Sequence, residues 1–282
     1  MIYSYDGRLV SNPKIPGVKY DQLNKRRISV SQDILAVLDS SNPKVLKLYD
    51  IMNGRPTGNQ IEHTNEIIDF ELNNSDMASE RKIAFLDTNR DLFIIPALKK
   101  DMRKLVSMCD SFKWHDKYDM LSAAADLRVH SWYYPNAIYV DKDLIDMCKM
   151  TKDTSEIGRD CTVTSFSGSI VQITKKNGTQ VIINTSPYPS MLLQYCDNND
   201  WEKAIKLCRY IKDKSLWAFV AAISLHHRNT ETAEISLANI ESIEKVQYIT
   251  QTMNLPSEVS RQASLLLYFR KYGKPFYFKQ KK

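Results

Sequence analysis

Hydrophobic and polar positions follow two different rhythms along this chain, and the change falls near Pro187-Tyr188-Pro189. Before that point, β-prone runs of four to seven residues are separated by turn signals. Asp6-Gly7, Asn53-Gly54 and Asn177-Gly178 sit between such runs, the signature of a two-residue hairpin. Beyond it turns become rare and apolar residues recur at helical spacing. The first stretch reads as all-β and the second as all-α.

The β stretch repeats. Three strand-like runs, Ile28 to Ser31, Ile68 to Glu71 and Phe112 to His115, begin 40 and 44 residues apart. Each is followed by a second run ending in aspartate: Ile34 to Asp39, Ile83 to Asp87 and Met120 to Asp126. A third run comes next, at Val45 to Asp50, Leu92 to Ile95 and Val129 to Tyr133. A spacing of about 40–45 residues with four strands per unit is the period of propeller blades.

Local chemistry agrees with WD-type repeats. Leu48-Tyr49-Asp50 stands where a Trp-Asp pair closes the third strand, and Glu62-His63-Thr64 stands where a Gly-His pair opens the next unit. A histidine at a blade entrance bonds the aspartate of the turn after the second strand, which satisfies buried polar groups. His63 and Asp87 are the expected pair, with a structural role. Ser169 to Ile173 and Gln180 to Ile183 form one more hairpin around Asn177-Gly178. The count comes to about three to four blades, against about four to eight in a closed propeller. The sequence is therefore expected to be a partial propeller, with residues 1–20 pairing to strands outside it.

In the α stretch, Asn199 or Asp200 is the expected N-cap of a helix whose inner face carries Trp201, Ala204, Ile205, Cys208 and Ile211. A second helix presents Trp217, Val220, Ala221 and Ser224, and ends at His226-His227, where cations suit the helix dipole. A third starts near Asn229 or Thr230 and carries Ala233, Leu237 and Ile240; a fourth carries Ile243, Val246 and Ile249. Pro256-Ser257 breaks the pattern before a last helix at Ala263 to Phe269. Small residues at Ala204 and Ala233 allow close helix packing beside Trp201 and Trp217. Ala204 and Ala233 lie 29 residues apart, near the ~34-residue tetratricopeptide period. The expected layout is a β + α chain: a partial WD-repeat propeller over residues 1–189, a TPR-like helical solenoid over 190–270 and a basic tail over 271–282.

Composition narrows the function. At 43% hydrophobic and 26% charged, the 282 residues suit a soluble globular protein, with no apolar run long enough for a membrane span. The beginning MIYSYDGRLV lacks a secretory layout, and five cysteines without paired spacing point to reduced thiols and no zinc site. A net charge of +6, partly in the C-terminal stretch, argues against a nucleic-acid partner. Adjacent His226 and His227 point about 100° apart on a helix and do not share a ligand. Trp132-Tyr133-Tyr134-Pro135 reads as core and not as a base-stacking platform. Phosphate loops and the common hydrolase, metalloprotease and kinase motifs are missing, so no enzyme activity and no cofactor are expected.

Longer segments carry a specific resemblance. Arg81 to Leu92, Trp132 to Asn136 with Ile138 to Asp141, Trp201 to Ala204 with Leu207 to Arg209, Ile243 to Ile249 and Asn254 to Ser257 resemble the family of intraflagellar transport protein 80, WD-repeat subunits of complex B. The resemblance covers residues 1–268. Family members have two propellers and a helical extension, so the first propeller and the opening of the second are absent here. It implies a non-catalytic scaffold for cilium assembly and ciliary cargo transport, partnered by other complex B subunits. The implied location is the cilium, including basal body and axoneme, with a cytoplasmic pool. No membrane insertion is implied, and a homodimer is left open. The alternatives are a vesicle-coat scaffold with the same layout, and a single-stranded nucleic-acid binder using aromatics and the basic tail.

Overall fold

A computed structural model describes residues 1–16, 24–75, 77–154 and 157–273. Residues 17–20 of the N-terminal stretch and 274–282 of the basic tail lie outside it. The strands, in chain order, are β1 (Ile2–Tyr3), β2 (Leu9–Ser11), β3 (Ile28–Val30), β4 (Ile34–Leu38), β5 (Val45–Asp50) and β6 (Pro56–Glu62). There follow β7 (Ile67–Leu72), β8 (Lys82–Asp87), β9 (Leu92–Pro96), β10 (Arg103–Val106), β11 (Cys109–Trp114), β12 (Leu121–Ala125) and β13 (Arg128–Trp132). The last four are β14 (Lys149–Asp153), β15 (Thr162–Ser167), β16 (Ile170–Thr174) and β17 (Gln180–Asn184). Three sheets have four strands, in the orders β3-β4-β5-β6, β7-β8-β9-β10 and β11-β12-β13-β14. A three-stranded sheet, β15-β16-β17, and the two-stranded hairpin β1-β2 complete the set.

These are propeller blades, and burial explains their sequence. The second strands β4, β8 and β12 are buried at every position, because both faces of the blade are covered. In the first blade, Ile34, Ala36 and Leu38 join Phe70, Ile83 and Phe85 of the second blade in one core. Leu35 and Val37 point the other way, with Tyr49 and Ile51, and pack against Ile2, Val10 and Ile15. The period-two pleat thus sends alternate residues of one short run into two cores. In the described part of the N-terminal stretch β1 and β2 pair with each other, and Ser11 Oγ donates to Ile51 O at 2.5 Å.

The helices are α1 (Ala137–Val140), α2 (Lys142–Met147), α3 (Tyr188–Asp197), α4 (Trp201–Ile211), α5 (Lys214–His226), α6 (Thr230–Asn239), α7 (Ile243–Met253) and α8 (Glu258–Tyr272). The residues group into two compact units. One comprises Met1–Val129 with Asp153–Ile183; the other comprises His130–Lys152 with the described residues from Asn184 onward. The stretch before Pro187 is therefore not all-β. The helices α1 and α2 interrupt it, and both pack on α5.

Within the helical unit, α5 is buried from Leu216 to Leu225, so helices cover it on every side. It neighbours α1, α2, α3, α4 and α6, while α7 contacts α6 and α8. Caps follow side-chain chemistry at Asp213, Asn229 and Ser257, each accepting a backbone N–H of the first turn. Asp200 is the N-cap of α4, but its carboxylate takes Lys203 Nζ at 2.8 Å in place of a backbone N–H. The fourth helical stripe also differs. Ile243 is 71% exposed, and the buried positions of α7 are Lys245, Ile249 and Thr252. Ion pairs of Lys245, described below, fix which face of α7 turns inward.

Candidate interaction surfaces

In the β unit the first strands β3, β7, β11 and β15 each end their sheet, so each has an edge of unpaired backbone groups. They neighbour one another in that order. A side chain of one blade captures an edge N–H of the next. Ser29 Oγ accepts from Leu72 N–H at 3.0 Å. Glu71 accepts from Trp114 N–H at 3.1 Å and pairs with Lys113 Nζ, while its carbonyl accepts Trp114 Nε1–H at 3.0 Å. Ser111 Oγ accepts from Val163 N–H at 2.7 Å and donates to Cys161 O at 2.9 Å. Three successive blade junctions thus use one device, which satisfies edge donors that closely packed strands would otherwise strand.

Glu71→Ala removes the acceptor for a backbone N–H and the partner of Lys113. We expect it to destabilise the β unit by about 1–3 kcal/mol, since an unsatisfied buried donor costs that much. Urea unfolding of the purified chain measures it, and an unchanged midpoint would remove the stapling role.

The same strands line a cavity of about 560 Å³. Lys25, Arg26 and Lys113 supply cations to its wall, and Asp69 and Glu71 supply carboxylates. Asp69 is half-buried and accepts Phe70 N–H at 3.0 Å. Burial raises its pKa above the usual carboxylate value, against the opposing pull of Arg26, the Phe70 bond, Lys113 and Lys25.

Of the residues singled out from sequence, His63 and Asp87 meet. His63 Nε2 lies 3.1 Å from Asp87 Oδ2, and Asn65 Nδ2 donates to the same oxygen at 2.9 Å. Asp87 Oδ1 accepts Asn89 N–H at 3.0 Å and Asp91 N–H at 2.9 Å. Burial pulls the Asp87 pKa up, but the bonds from Asn65, Asp91, His63 and Asn89 outweigh it and hold the carboxyl below its ordinary value. The His63 ring packs between Phe85 and Phe93, at centroid distances of 5.2 and 4.7 Å. Both carboxylate oxygens of Asp87 are thus occupied by groups of the chain itself.

In the helical unit, Ala204 and Ala233 are fully buried where α4, α5 and α6 converge. Trp217 is buried too, while Trp201 is half-exposed and stands edge-on to His227 at 5.8 Å. His226 Nδ1 lies 2.6 Å from the Tyr134 hydroxyl. Trp132, Tyr133 and Tyr134 are all buried, which leaves no aromatic platform there.

Sequence reasoning missed a buried charged cluster in this unit. Asp141, fully buried, caps α2 by accepting Asp143 N–H at 3.0 Å on Oδ1. Its Oδ2 accepts Lys245 Nζ at 2.6 Å and Tyr268 OH at 2.9 Å. Lys245 also reaches Asp143 Oδ2 at 2.9 Å. One carboxylate thereby ties α2 to α7 and α8. Close by, a Cβ on Gly273 would stand 2.5 Å from Tyr139 O, so only glycine fits. The available signal was a lysine, Lys245, four residues before Ile249 on the apolar stripe of α7.

All five cysteines are buried, and burial raises every thiol, those of Cys196 and Cys208 to about 12. A thiol that stays protonated is a poor nucleophile. Among the described residues, no group of three or more His, Cys, Asp or Glu is placed to hold a metal. No described helix is long and apolar enough to cross a membrane.

Comparison with known proteins gives a consistent picture. A profile of the IFT80 second beta-propeller matches residues 1–188, and one of the IFT80/172/WDR35/WDR19 TPR domain matches residues 216–275. The intraflagellar transport protein 80 homologs of Rattus norvegicus and Mus musculus are each 37% identical over 273 residues, 95% of this chain. The chain spans 35% of the length of these curated relatives. Among solved structures, the computationally designed Ika4 protein overlays at TM-score 0.40 and 14% identity, covering 58% of this chain and 93% of its own.

Proposed function

The chain belongs to the intraflagellar transport protein 80 family, and from that premise we propose that it is a non-catalytic scaffold subunit of the intraflagellar transport machinery. Its work is cilium assembly and ciliary cargo transport through protein–protein contacts. The observation that carries this reading is the collinear family match across blades and helices, beside buried Asp87 and Asp141 carboxylates that are bonded within the chain. Propeller blades and TPR-like helix pairs present extended surfaces, and such surfaces act by binding. Other complex B subunits are the partners, and the cilium, with its basal body and axoneme, is the site of action alongside a cytoplasmic pool.

A fluorescently tagged chain expressed in ciliated cells tests the location. Signal at the basal body and along the axoneme is expected. Signal confined to Golgi membranes would favour a vesicle-coat scaffold and contradict the proposal.

A further inference from the structure

Three adjacent cations, Lys25-Arg26-Arg27, stand immediately before β3, and no other run of three occurs in the sequence. The strand that follows is Ile28-Ser29-Val30, so a hydroxyl comes two positions after Arg27 and three after Arg26. Protein kinases select substrates by charge pattern. Two arginines at these distances before a serine, with an apolar residue after it, match a kinase whose substrate groove is acidic. The cations are presented on a turn. Asn24 Oδ1 accepts Arg26 N–H at 3.0 Å, Asn24 O accepts Arg27 N–H at 2.9 Å, and Lys25 and Arg26 are exposed.

The strand that carries the hydroxyl is lightly held. Ser29 is half-buried, and Val30 is 54% exposed. β3 has three residues, lies at the end of its sheet and pairs there with β4 through three residue pairs. Lifting so short an edge strand costs much less than unfolding the unit, and it supplies the extended segment that a kinase binds.

The same place holds a receptor for the product. Ser29 shares the wall of the cavity of about 560 Å³ with Lys25, Arg26 and Lys113. All three cations act on one carboxyl, that of Asp69, so their fields converge. Glu71 is engaged by Lys113 and by Trp114 N–H. Burial pushes Asp69 toward its neutral form, which makes it the wall carboxyl that most readily takes a proton beside an arriving dianion.

We propose that Ser29 is a phosphorylation site for an arginine-directed serine kinase, and that its phosphate is held in the cavity by Lys25 and Arg26. The γ-phosphoryl group of ATP moves to Ser29 Oγ: its bond to the ADP oxygen breaks and a new P–O bond forms. The hydroxyl proton passes to the catalytic aspartate of the kinase. The product adds roughly −1.5 to −2 charge and three acceptor oxygens where Ser29 accepts Leu72 N–H. The modification thus acts on the contact between the first and second blades. It does not depend on the family reading above.

The test incubates the folded full chain with magnesium ATP and the catalytic subunit of a cyclic-nucleotide-dependent kinase, an arginine-directed enzyme, and maps the label by mass spectrometry. Near-stoichiometric label on Ser29 is expected. Arg26→Ala is expected to slow labelling at least about tenfold. Residue 26 is exposed, so the thermal melt of that variant should match the parent. Phosphorus NMR then titrates the phosphorylated chain. Nearby cations favour the dianion, so its second pKa should lie below the usual value of about 6, and below that of the same chain unfolded in urea. Label on Ser29 only after unfolding, label confined to other hydroxyls, or a rate indifferent to Arg26→Ala would overturn the site. A phosphate that titrates alike in the folded and unfolded chain would overturn the receptor.

Discussion

Asp87→Ala is expected to destabilise the β unit by about 3–5 kcal/mol, the upper range for a single substitution. The carboxylate is fully buried and accepts from His63, Asn65, Asn89 and Asp91. Truncation leaves two backbone N–H groups and two side-chain donors without an acceptor, each costing about 1–3 kcal/mol if nothing replaces it. Water entering the vacated space offsets part of that, which keeps the total below the plain sum. Asp87→Asn keeps the shape but loses the charge, and should cost less. The pH dependence has a definite sign. The folded-state pKa of Asp87 is depressed, so its contribution is present above the unfolded value of about 3.9 and is lost as pH falls through the folded value. Parent and Asp87→Asn stabilities should therefore converge in acid. Urea unfolding at neutral and acid pH checks both statements. An Asp87→Ala midpoint equal to that of the parent would refute the relay.

The second large effect is expected in the helical unit. Lys245→Met should destabilise it by about 3–5 kcal/mol, because it leaves Asp141 charged and fully buried without its cation. Combining Lys245→Met with Asp141→Asn removes that orphaned charge. The double variant should be more stable than the sum of the single effects predicts, since the two side chains are in direct contact. Burial alone would lower the Lys245 pKa, but the bonds and charges of Asp141 and Asp143 hold it above its ordinary value. Its contribution is therefore present below the unfolded value of about 10.4 and is lost only as pH rises through the folded value. Helical circular dichroism followed through thermal melts reads this, with a flat dependence across neutral pH. A Lys245→Met melt matching the parent would show that α2, α7 and α8 are held together by other contacts.

Much of the blade architecture was legible because its signals are local. Asn53-Gly54 and Asn177-Gly178 mark hairpins through backbone preference alone, and Ile34 to Asp39, Ile83 to Asp87 and Met120 to Asp126 repeat at blade spacing. The pairing of His63 with Asp87 was likewise readable, since position in the repeat predicts proximity. Helices α1 and α2 were not. Ile138-Tyr139-Val140 is β-prone, and a four-residue helix draws its stability from neighbours, here α5 and α8, and not from propensity. Ser29, Glu71 and Ser111 look like ordinary polar strand positions until the next blade brings Leu72, Trp114 and Val163 beside them. Lys245 was hidden for a similar reason. Its partner Asp141 lies in a segment distant in sequence, and a lysine among apolar residues reads as exposed unless that partner is known.

In the proposed function this chain works by binding partners of the intraflagellar transport machinery. Affinity capture of the tagged chain from ciliated cells, read by quantitative mass spectrometry, tests it most directly. Recovery of complex B subunits is expected with the parent chain, and their loss with Asp87→Ala and Lys245→Met in proportion to the fold each variant loses. A folded, soluble parent chain that recovers none of those subunits would contradict it.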